Sequence, residues 1–128
     1  MKLLLDTHAL VWSVNDPGKL STAALNAVMD PANDRFISAA SVWELAIKWG
    51  MGKITLLPDY RAWTRQAITA LGLDILPVTV EYAAQQSLLP VHHKDPFDRL
   101  ILAQSILDAI PIVSSDAAFD PYGITRIW

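Results

Sequence analysis

Short apolar runs alternate with segments of helical spacing along the whole chain, and this alternation limits the possible fold more than any other feature. Runs at residues 2–5, 35–39, 74–78 and 110–114 predict buried strands, and residues 125–128 predict an edge strand. Segments at residues 21–29, 41–49, 60–71, 80–88 and 96–109 predict helices. Strands that alternate with helices predict an α/β fold, with a parallel sheet covered on both faces and connected by right-handed crossovers.

The length and composition predict one domain that spans residues 1–128. With 128 residues and 52% hydrophobic side chains, the chain can bury a core without disulfide bonds. No apolar run approaches the roughly 20 residues of a membrane span, and the apolar N-terminal run soon ends at Asp6. The sequence has no cysteine, which fits a reducing cytoplasm and restricts metal ligands to oxygen and histidine. We therefore expect a cytoplasmic protein without a membrane anchor.

The net charge argues against broad binding to a polyanion. The chain has 10 lysines and arginines against 13 aspartates and glutamates, a formal charge of −3. This objection weakens when several carboxylates share a divalent ion, because the ion neutralises the charge where a phosphate must approach. The positions of the carboxylates are therefore more informative than their number.

Two carboxylates in the first half of the chain each have a structural and a functional interpretation. Asp6 directly follows an apolar run, and an aspartate at the end of a parallel strand points into the crevice where ligands bind. It would equally serve as the N-cap of a helix that begins near Thr7. Glu44 stands three residues after Ser41, the spacing of a capping box in which the glutamate reaches back to the serine amide. The apolar residues after Glu44 place it close to buried surface, so both interpretations stay open.

The stretch Asp95-Pro96-Phe97-Asp98 is the most informative part of the sequence. Asp95 followed by Pro96 predicts an N-cap and the first position of a helix, with Asp98 in the first turn. The two carboxylates then lie on the same side of the helix start, where they repel each other unless a cation or an arginine lies between them. Arg99 is a candidate, but its neighbouring position turns it away.

Asp116 follows the apolar run at residues 110–114, where it would also suit the start of a short helix. In a parallel sheet, however, all strand carboxyl ends and all following helix N-termini gather at one edge, so such caps converge. Four acids each fall after a different strand or in the helix that follows it: Asp6, Glu44, Asp98 and Asp116. Four carboxylates at one edge require a metal ion, and oxygen ligands favour Mg²⁺ or Mn²⁺.

The order of these acids resembles that of PIN-domain nucleases, and most closely that of VapC-type toxins of type II toxin–antitoxin systems. The resemblance covers the whole chain, and its most specific part is the sequence DPFDRLILAQ at residues 95–104. It implies a PIN-like three-layer sandwich, with a central parallel sheet of about four or five strands between helices. It also implies that the catalytic and metal-binding acids are Asp6, Glu44, Asp98 and Asp116. Asp95 and Thr7 are auxiliary residues, and Thr7 retains a hydroxyl near the metal.

The activity that the resemblance implies is a magnesium- or manganese-dependent endoribonuclease. A hydrated metal supplies hydroxide near neutral pH and stabilises the charge on the phosphate, so no side-chain nucleophile is needed. Asp6, Asp98 and Asp116 would hold the ion. Glu44 would orient or deprotonate the attacking water, and cleavage would leave a 3′ hydroxyl and a 5′ phosphate.

The expected partners are an RNA substrate, a cognate antitoxin protein and a second copy of the chain in a homodimer. The five tryptophans predict core or interface surface, with Trp43 and Trp49 on one predicted helix and Trp63 on the next. By analogy with the toxins, the helices between residues 41 and 71 would form part of an apolar groove that takes an antitoxin helix.

The three histidines are predicted to lie outside the metal site. His92 and His93 follow Pro90 in a short loop, and with Lys94 they predict a polar rim that touches RNA phosphate. His8 is likewise interpreted as structural, although imidazole is able to bind metal or transfer protons.

Other functions share parts of this pattern. A phosphotransferase of the haloacid-dehalogenase kind also has an aspartate after its first strand, but it needs a second aspartate where this chain has His8. A receiver domain would place its aspartate after a middle strand and add a late lysine, and neither feature is evident. A PIN scaffold that only binds partners is the remaining alternative, and it does not require all four acids. The two alternative functions are therefore a metal-dependent phosphatase or phosphotransferase and a non-catalytic PIN scaffold that only binds partners.

Overall fold

Five parallel strands form the centre of the fold. In the computed structural model, which describes residues 1–128, they are β1 (Lys2–Leu5), β2 (Asp34–Ser38), β3 (Leu73–Leu76), β4 (Ile112–Val113) and β5 (Arg126–Ile127). Their order across the sheet is β3-β2-β1-β4-β5, and every neighbouring pair is parallel. The predicted α/β class, the parallel sheet and the edge strand near residue 125 are therefore confirmed.

Six α-helices cover the sheet. They are α1 (Thr7–Asn15), α2 (Thr22–Met29), α3 (Ala39–Gly50), α4 (Tyr60–Leu71), α5 (Val80–Leu88) and α6 (Pro96–Asp108), with short 3₁₀ helices at Pro17–Lys19 and Ala117–Tyr122. The five helices predicted from spacing are all present, and their ends differ from the prediction by no more than two residues. No helix is both long enough and apolar enough to cross a membrane.

Helix α1 is the element that spacing does not predict. Its sequence, THALVWSVN, is apolar around most of its circumference, so it lacks the polar face that marks an amphipathic helix. Asp6 starts the helix as its N-cap, because its side chain accepts a hydrogen bond from the amide of Ala9 at 2.6 Å. The capping interpretation of Asp6 is therefore correct.

The two faces of the sheet bury separate cores, as a three-layer sandwich requires. Leu3 and Leu5 of β1 point into the larger core, which helices α1 to α4 cover. Leu4 points to the other face, where it packs with residues of α6 and with Phe119 of the second 3₁₀ helix. All three leucines are fully buried, because β1 is the central strand and has helices on both sides.

The start of α3 differs from the predicted capping box. Ser38, the last residue of β2, is the N-cap, since its hydroxyl accepts a hydrogen bond from the amide of Ala40 at 3.1 Å. The helix begins at Ala39, so Ser41 lies inside its first turn and Glu44 in its second. The capping-box interpretation of Ser41 and Glu44 is wrong, because the strand runs directly into the helix and Ser38 caps it first. The Glu44 side chain is therefore available for other partners.

Candidate metal centre

Four elements bring the predicted acids to one edge of the sheet. Asp6 follows β1, and its amide donates to the carbonyl of Val113 on the neighbouring strand β4, at 3.1 Å. Asp116 lies just beyond β4 and caps the second 3₁₀ helix through the amide of Ala118. Glu44 comes from α3 and Asp98 from the first turn of α6. We refer to these four acids, Asp6, Glu44, Asp98 and Asp116, as the carboxylate cluster.

The carboxylate cluster is buried at one end and open at the other. The whole-residue exposure is 5% for Asp6 and 4% for Glu44. The side chains of Asp98 and Asp116 are 24% and 42% exposed. The accessible side of the cluster is therefore that of Asp98 and Asp116, while Asp6 and Glu44 form the floor.

Burial dominates the electrostatics of Asp6. Removal from water raises the pKa of its carboxyl group, and the negative charge of Asp116 acts in the same direction. Hydrogen bonds from Ser114 and from the amide of Ala9, together with the charge of His8, offset part of this rise. Asp6 therefore caps α1 and also belongs to a crowded acidic cluster.

Asp98 also has a strongly perturbed carboxyl group. Burial, and then repulsion from Asp95, Glu44 and Asp6, raise its pKa from 3.8 to about 7, although His93 partly opposes the shift. Asp95 itself caps α6, with its carboxylate accepting from the amides of Phe97 at 2.8 Å and Asp98 at 3.2 Å. The predicted N-cap is therefore confirmed, and repulsion among the neighbouring acids accompanies it.

His93 lies between Asp98 and Asp116. Its Nε2 atom is 2.9 Å from Oδ2 of Asp116 and 3.2 Å from Oδ2 of Asp98. One potential ligand atom from each of these three residues lies within 4.8 Å of the others. Burial raises the pKa of Asp116, but the hydrogen bonds from Ala118 and His93 and nearby positive charge outweigh it, so that the pKa is lowered overall. The predicted rim role is wrong for His93, whereas His92 and Lys94 are exposed.

Glu44 is held from both sides by polar groups. The hydroxyl of Thr7 donates to Oε1 of Glu44 at 2.7 Å and lies 2.9 Å from the hydroxyl of Ser41. Nζ of Lys48, one helical turn later in α3, is 2.7 Å from Oε2 of Glu44. Thr7 therefore orients Glu44, and Lys48 supplies the positive charge that accompanies it in a buried position.

Arg99 is directed away from the carboxylate cluster, as its place in the sequence predicts. Its buried guanidinium donates four hydrogen bonds to backbone carbonyls of the segment before α6, with N···O distances from 3.0 to 3.1 Å. Two of these acceptors are the carbonyls of Pro90 and His93. Arg99 therefore fixes the loop that carries His93 rather than neutralising the acids.

The donor set fits a hard divalent cation. Lys48 accompanies Glu44 and His93 contacts both Asp98 and Asp116, yet burial and the neighbouring acids still raise the pKa of Asp98 to about 7. Carboxylate oxygens are the ligands that Mg²⁺ and Mn²⁺ prefer. A divalent ion at this edge would remove the repulsion that raises the pKa of Asp98.

Sequence reasoning missed two residues of this site. Lys48 follows Glu44 at the i,i+4 spacing of a helical ion pair, and that spacing was a usable signal. His93 reaches Asp116 across 23 positions of sequence, and no local pattern predicts such a contact.

Comparisons with known proteins agree with this architecture. The family described as PIN domain matches residues 3–124. The chain is 32% identical over 115 residues to Ribonuclease VapC22 of Mycobacterium tuberculosis (strain ATCC 25618 / H37Rv), covering 89% of this chain and 86% of that protein.

Two solved structures have a similar fold. VapBC2 from Rickettsia felis, bound to a DNA fragment from its promoter, superposes with a TM-score of 0.74 at 16% identity over 98% of this chain and 97% of that one. FitAcB from Neisseria gonorrhoeae gives a TM-score of 0.66 at 19% identity over 97% and 95% of the two chains. At these identities, the likeness concerns the fold alone.

The raised pKa of Asp98 predicts how stability depends on pH when divalent ions are removed with a chelator. A carboxyl group whose pKa is raised in the folded protein binds its proton more tightly there than in the unfolded chain. The contribution of Asp98 to the free energy of unfolding should therefore fall as pH rises from about 4 to about 7. Urea unfolding across this range measures the slope.

Asp98→Asn should flatten this pH dependence and make the metal-free protein more stable than wild type above pH 7. Asp34→Asn is the matched control, because Asp34 is exposed at the start of β2 and should leave the slope unchanged. If Asp98 only favours the helix dipole, Asp98→Asn should instead destabilise the protein by about 0.3–1 kcal/mol. That result would contradict the crowding of charge described above.

Proposed function

Because this chain belongs to the PIN-domain family, we propose that it is a metal-dependent endoribonuclease and the toxin of a toxin–antitoxin pair. The observation that carries the proposal is the meeting of four acids from four elements at the carboxyl edge of the parallel sheet. The similarity to a protein named as a ribonuclease supports RNA as the substrate. A phosphotransferase of the haloacid-dehalogenase kind is a different family and is set aside.

Asp6, Asp98 and Asp116 are the residues that would hold the ion, for which Mg²⁺ and Mn²⁺ are the candidates. When bound, such an ion supplies positive charge that lowers the pKa of water and neutralises the phosphate. The gradient of exposure in the cluster suits this role, since Asp6 is buried while Asp98 and Asp116 face solvent. Substrate phosphate then approaches over the exposed acids.

Glu44 is the residue that would orient or deprotonate the attacking water. Its two oxygens accept from Thr7 and Lys48, but a carboxylate has about four lone-pair sites, so Glu44 retains capacity for a further hydrogen bond. Because both partners hold it, Glu44 is fixed in place before substrate binds, which favours catalysis. Attack of water on phosphorus would break the bond to the 3′ oxygen, leaving a 3′ hydroxyl and a 5′ phosphate.

Residues at the open side of the site are suited to contact the RNA backbone. Lys94 is exposed one position after His93, and His92 is exposed beside Tyr122, with ring centroids 5.3 Å apart. A cation on this rim attracts phosphate, which partly offsets the net negative charge of the chain. The exposure of His92 and Lys94 is compatible with the rim role, which stays a prediction.

Asp98→Asn should abolish cleavage of single-stranded RNA in the presence of Mn²⁺ while the protein stays folded. The substitution is nearly isosteric and keeps an oxygen, but it removes a charge with which the cluster would hold the ion. The loss should exceed about 100-fold, comparable with removal of one important electrostatic group from an active site. Gel assays of a labelled RNA, run with and without chelator, measure it, and Asp34→Asn should cleave like wild type.

Four outcomes would contradict the proposal. Cleavage by wild type in excess chelator would exclude a metal-dependent mechanism. Cleavage by Asp98→Asn at the wild-type rate would exclude Asp98 from the site. A wild-type protein that binds a partner but cuts no RNA would favour the non-catalytic scaffold, and one that hydrolyses only phosphomonoesters would favour a phosphatase.

An apolar groove beside the site is the proposed docking surface for an antitoxin helix. The groove has a volume of about 470 Å³ and is lined by Ala39, Ala40, Trp43, Val78, Pro96, Phe97 and Leu100. Trp43 is 64% exposed and packs edge-on against Phe97, with ring centroids 5.5 Å apart. Helix α3 contributes one wall as predicted, but α6 and Val78 form the other wall in place of α4. An exposed tryptophan in an apolar groove is typical of a protein interface.

Trp43→Arg should weaken the complex with the antitoxin. The antitoxin for this test is the product of a short reading frame adjacent to the gene, co-expressed with this chain. The substitution places a charge in the groove, and loss of a buried tryptophan from an interface costs about 2 kcal/mol or more. Light scattering of the co-purified proteins measures the complex. Met51→Arg, at the other end of α3 and 61% exposed, is the control and should leave the complex intact. Equal behaviour of the two variants would contradict the proposed docking surface.

A further inference from the structure

We propose that His93 is a positioning residue that donates its Nε2 proton to Asp116 while the same nitrogen lies beside Asp98, and that it is not itself a metal ligand. Distance alone would admit His93 as a ligand, because its Nε2 lies within 4.8 Å of an oxygen of each acid. The hydrogen bonds around the imidazole ring distinguish the two roles. The inference rests on the proposed function in one respect, namely that Asp98 and Asp116 bind the ion.

The backbone amide of Asp95 assigns the tautomer of His93. This amide donates to Nδ1 of His93 at 3.2 Å, so Nδ1 is an acceptor and carries no proton. The ring proton therefore lies on Nε2, which faces Oδ2 of Asp116 at 2.9 Å and Oδ2 of Asp98 at 3.2 Å. A ligand nitrogen at Nε2 would require the proton on Nδ1, where it would point at the amide N–H of Asp95.

Three further contacts fix the imidazole ring and the backbone of His93. The His93 amide donates to the hydroxyl oxygen of Tyr122 at 2.7 Å, and this hydroxyl donates to the carbonyl of Pro90 at 2.8 Å. Arg99 donates to the carbonyl of His93 at 3.1 Å. The ring lies against the fully buried Phe119, with centroids 5.4 Å apart. A side chain held this firmly imposes its geometry on the flexible carboxylates that it contacts.

The position of His93 between two acids explains how a fixed imidazole ring would position both carboxylates. Asp98 belongs to the first turn of α6, and Asp116 lies in the loop after β4, so no hydrogen bond of regular secondary structure joins the two. Their charges repel each other. His93 donates its Nε2 proton to Asp116, and the same Nε2 lies 3.2 Å from Oδ2 of Asp98, so the imidazole holds two of the proposed ligand oxygens side by side before the ion binds.

The tautomer of His93 is directly measurable by long-range ¹H–¹⁵N correlation NMR on the intact protein. We expect the Nε2-protonated form in the metal-free protein, and we expect it to persist when Mg²⁺ is added. Protonation at Nδ1 in the metal-free protein would overturn the inference. Loss of the Nε2 proton on addition of Mg²⁺ would also overturn it, because His93 would then be a ligand.

Two matched substitutions test the positioning role without RNA. In His93→Gln the side-chain amide reaches about as far as imidazole Nε2 and donates from there, whereas in His93→Asn it reaches only as far as Nδ1. The affinity for Mn²⁺, measured by calorimetry, should stay close to wild type in His93→Gln. It should fall about ten- to a hundredfold in His93→Asn, as for other residues that orient metal ligands. Equal affinities of the two variants would contradict the inference.

The same measurements separate this inference from the proposed function. If wild type binds Mn²⁺ with the expected ranking of variants but cuts no RNA, the ribonuclease proposal fails and the role of His93 stands. If wild type binds no Mn²⁺ at all, both fail. Thermal melts confirm that each variant is folded before its affinity is compared.

Discussion

Repulsion among carboxylates at one edge of a parallel sheet is the constraint on which the rest of this structure depends. Parallel strands place all their carboxyl ends, and the helices that follow them, on the same side. Three acids at this edge also have a local structural role as N-caps: Asp6 caps α1, Asp95 caps α6, and Asp116 caps a 3₁₀ helix. These local choices concentrate negative charge, and burial together with this charge raises the pKa of Asp98 to about 7.

The chain offsets this repulsion with two different partners. Lys48 accompanies Glu44 on the buried floor of the cluster, where an unpaired charge would be costly. His93 bridges Asp98 and Asp116 on the open side. Neither partner forms an ion pair with Asp6. A divalent ion is the ligand that this arrangement accommodates best. The charge of such an ion would attract a substrate phosphate to the same edge of the sheet.

Local patterns in the sequence predict the strands, five helices and the cap at Asp95, because each depends on residues within one or two turns. The helix at Thr7–Asn15 escapes prediction, since it is apolar around most of its surface. The capping box at Ser41 is wrong because Ser38 competes for the same role three residues earlier. His93 escapes prediction because the loop conformation that directs it toward Asp116 depends on Arg99 and Tyr122, which are distant contacts. The acids and the i,i+4 partner Lys48 are therefore predictable from local spacing, but the contacts of His93 are not.

Anomalous diffraction from crystals grown with Mn²⁺ would test the central claim most directly, namely that acids from separate elements share one ion. Data collected near the manganese absorption edge locate the ion without reference to activity or to a substrate. The account predicts a strong peak at the carboxyl edge of the sheet, in contact with carboxylate oxygens of Asp98 and of at least one of Asp6 and Asp116. A peak only at exposed acids elsewhere, or no peak at saturating Mn²⁺, would contradict it.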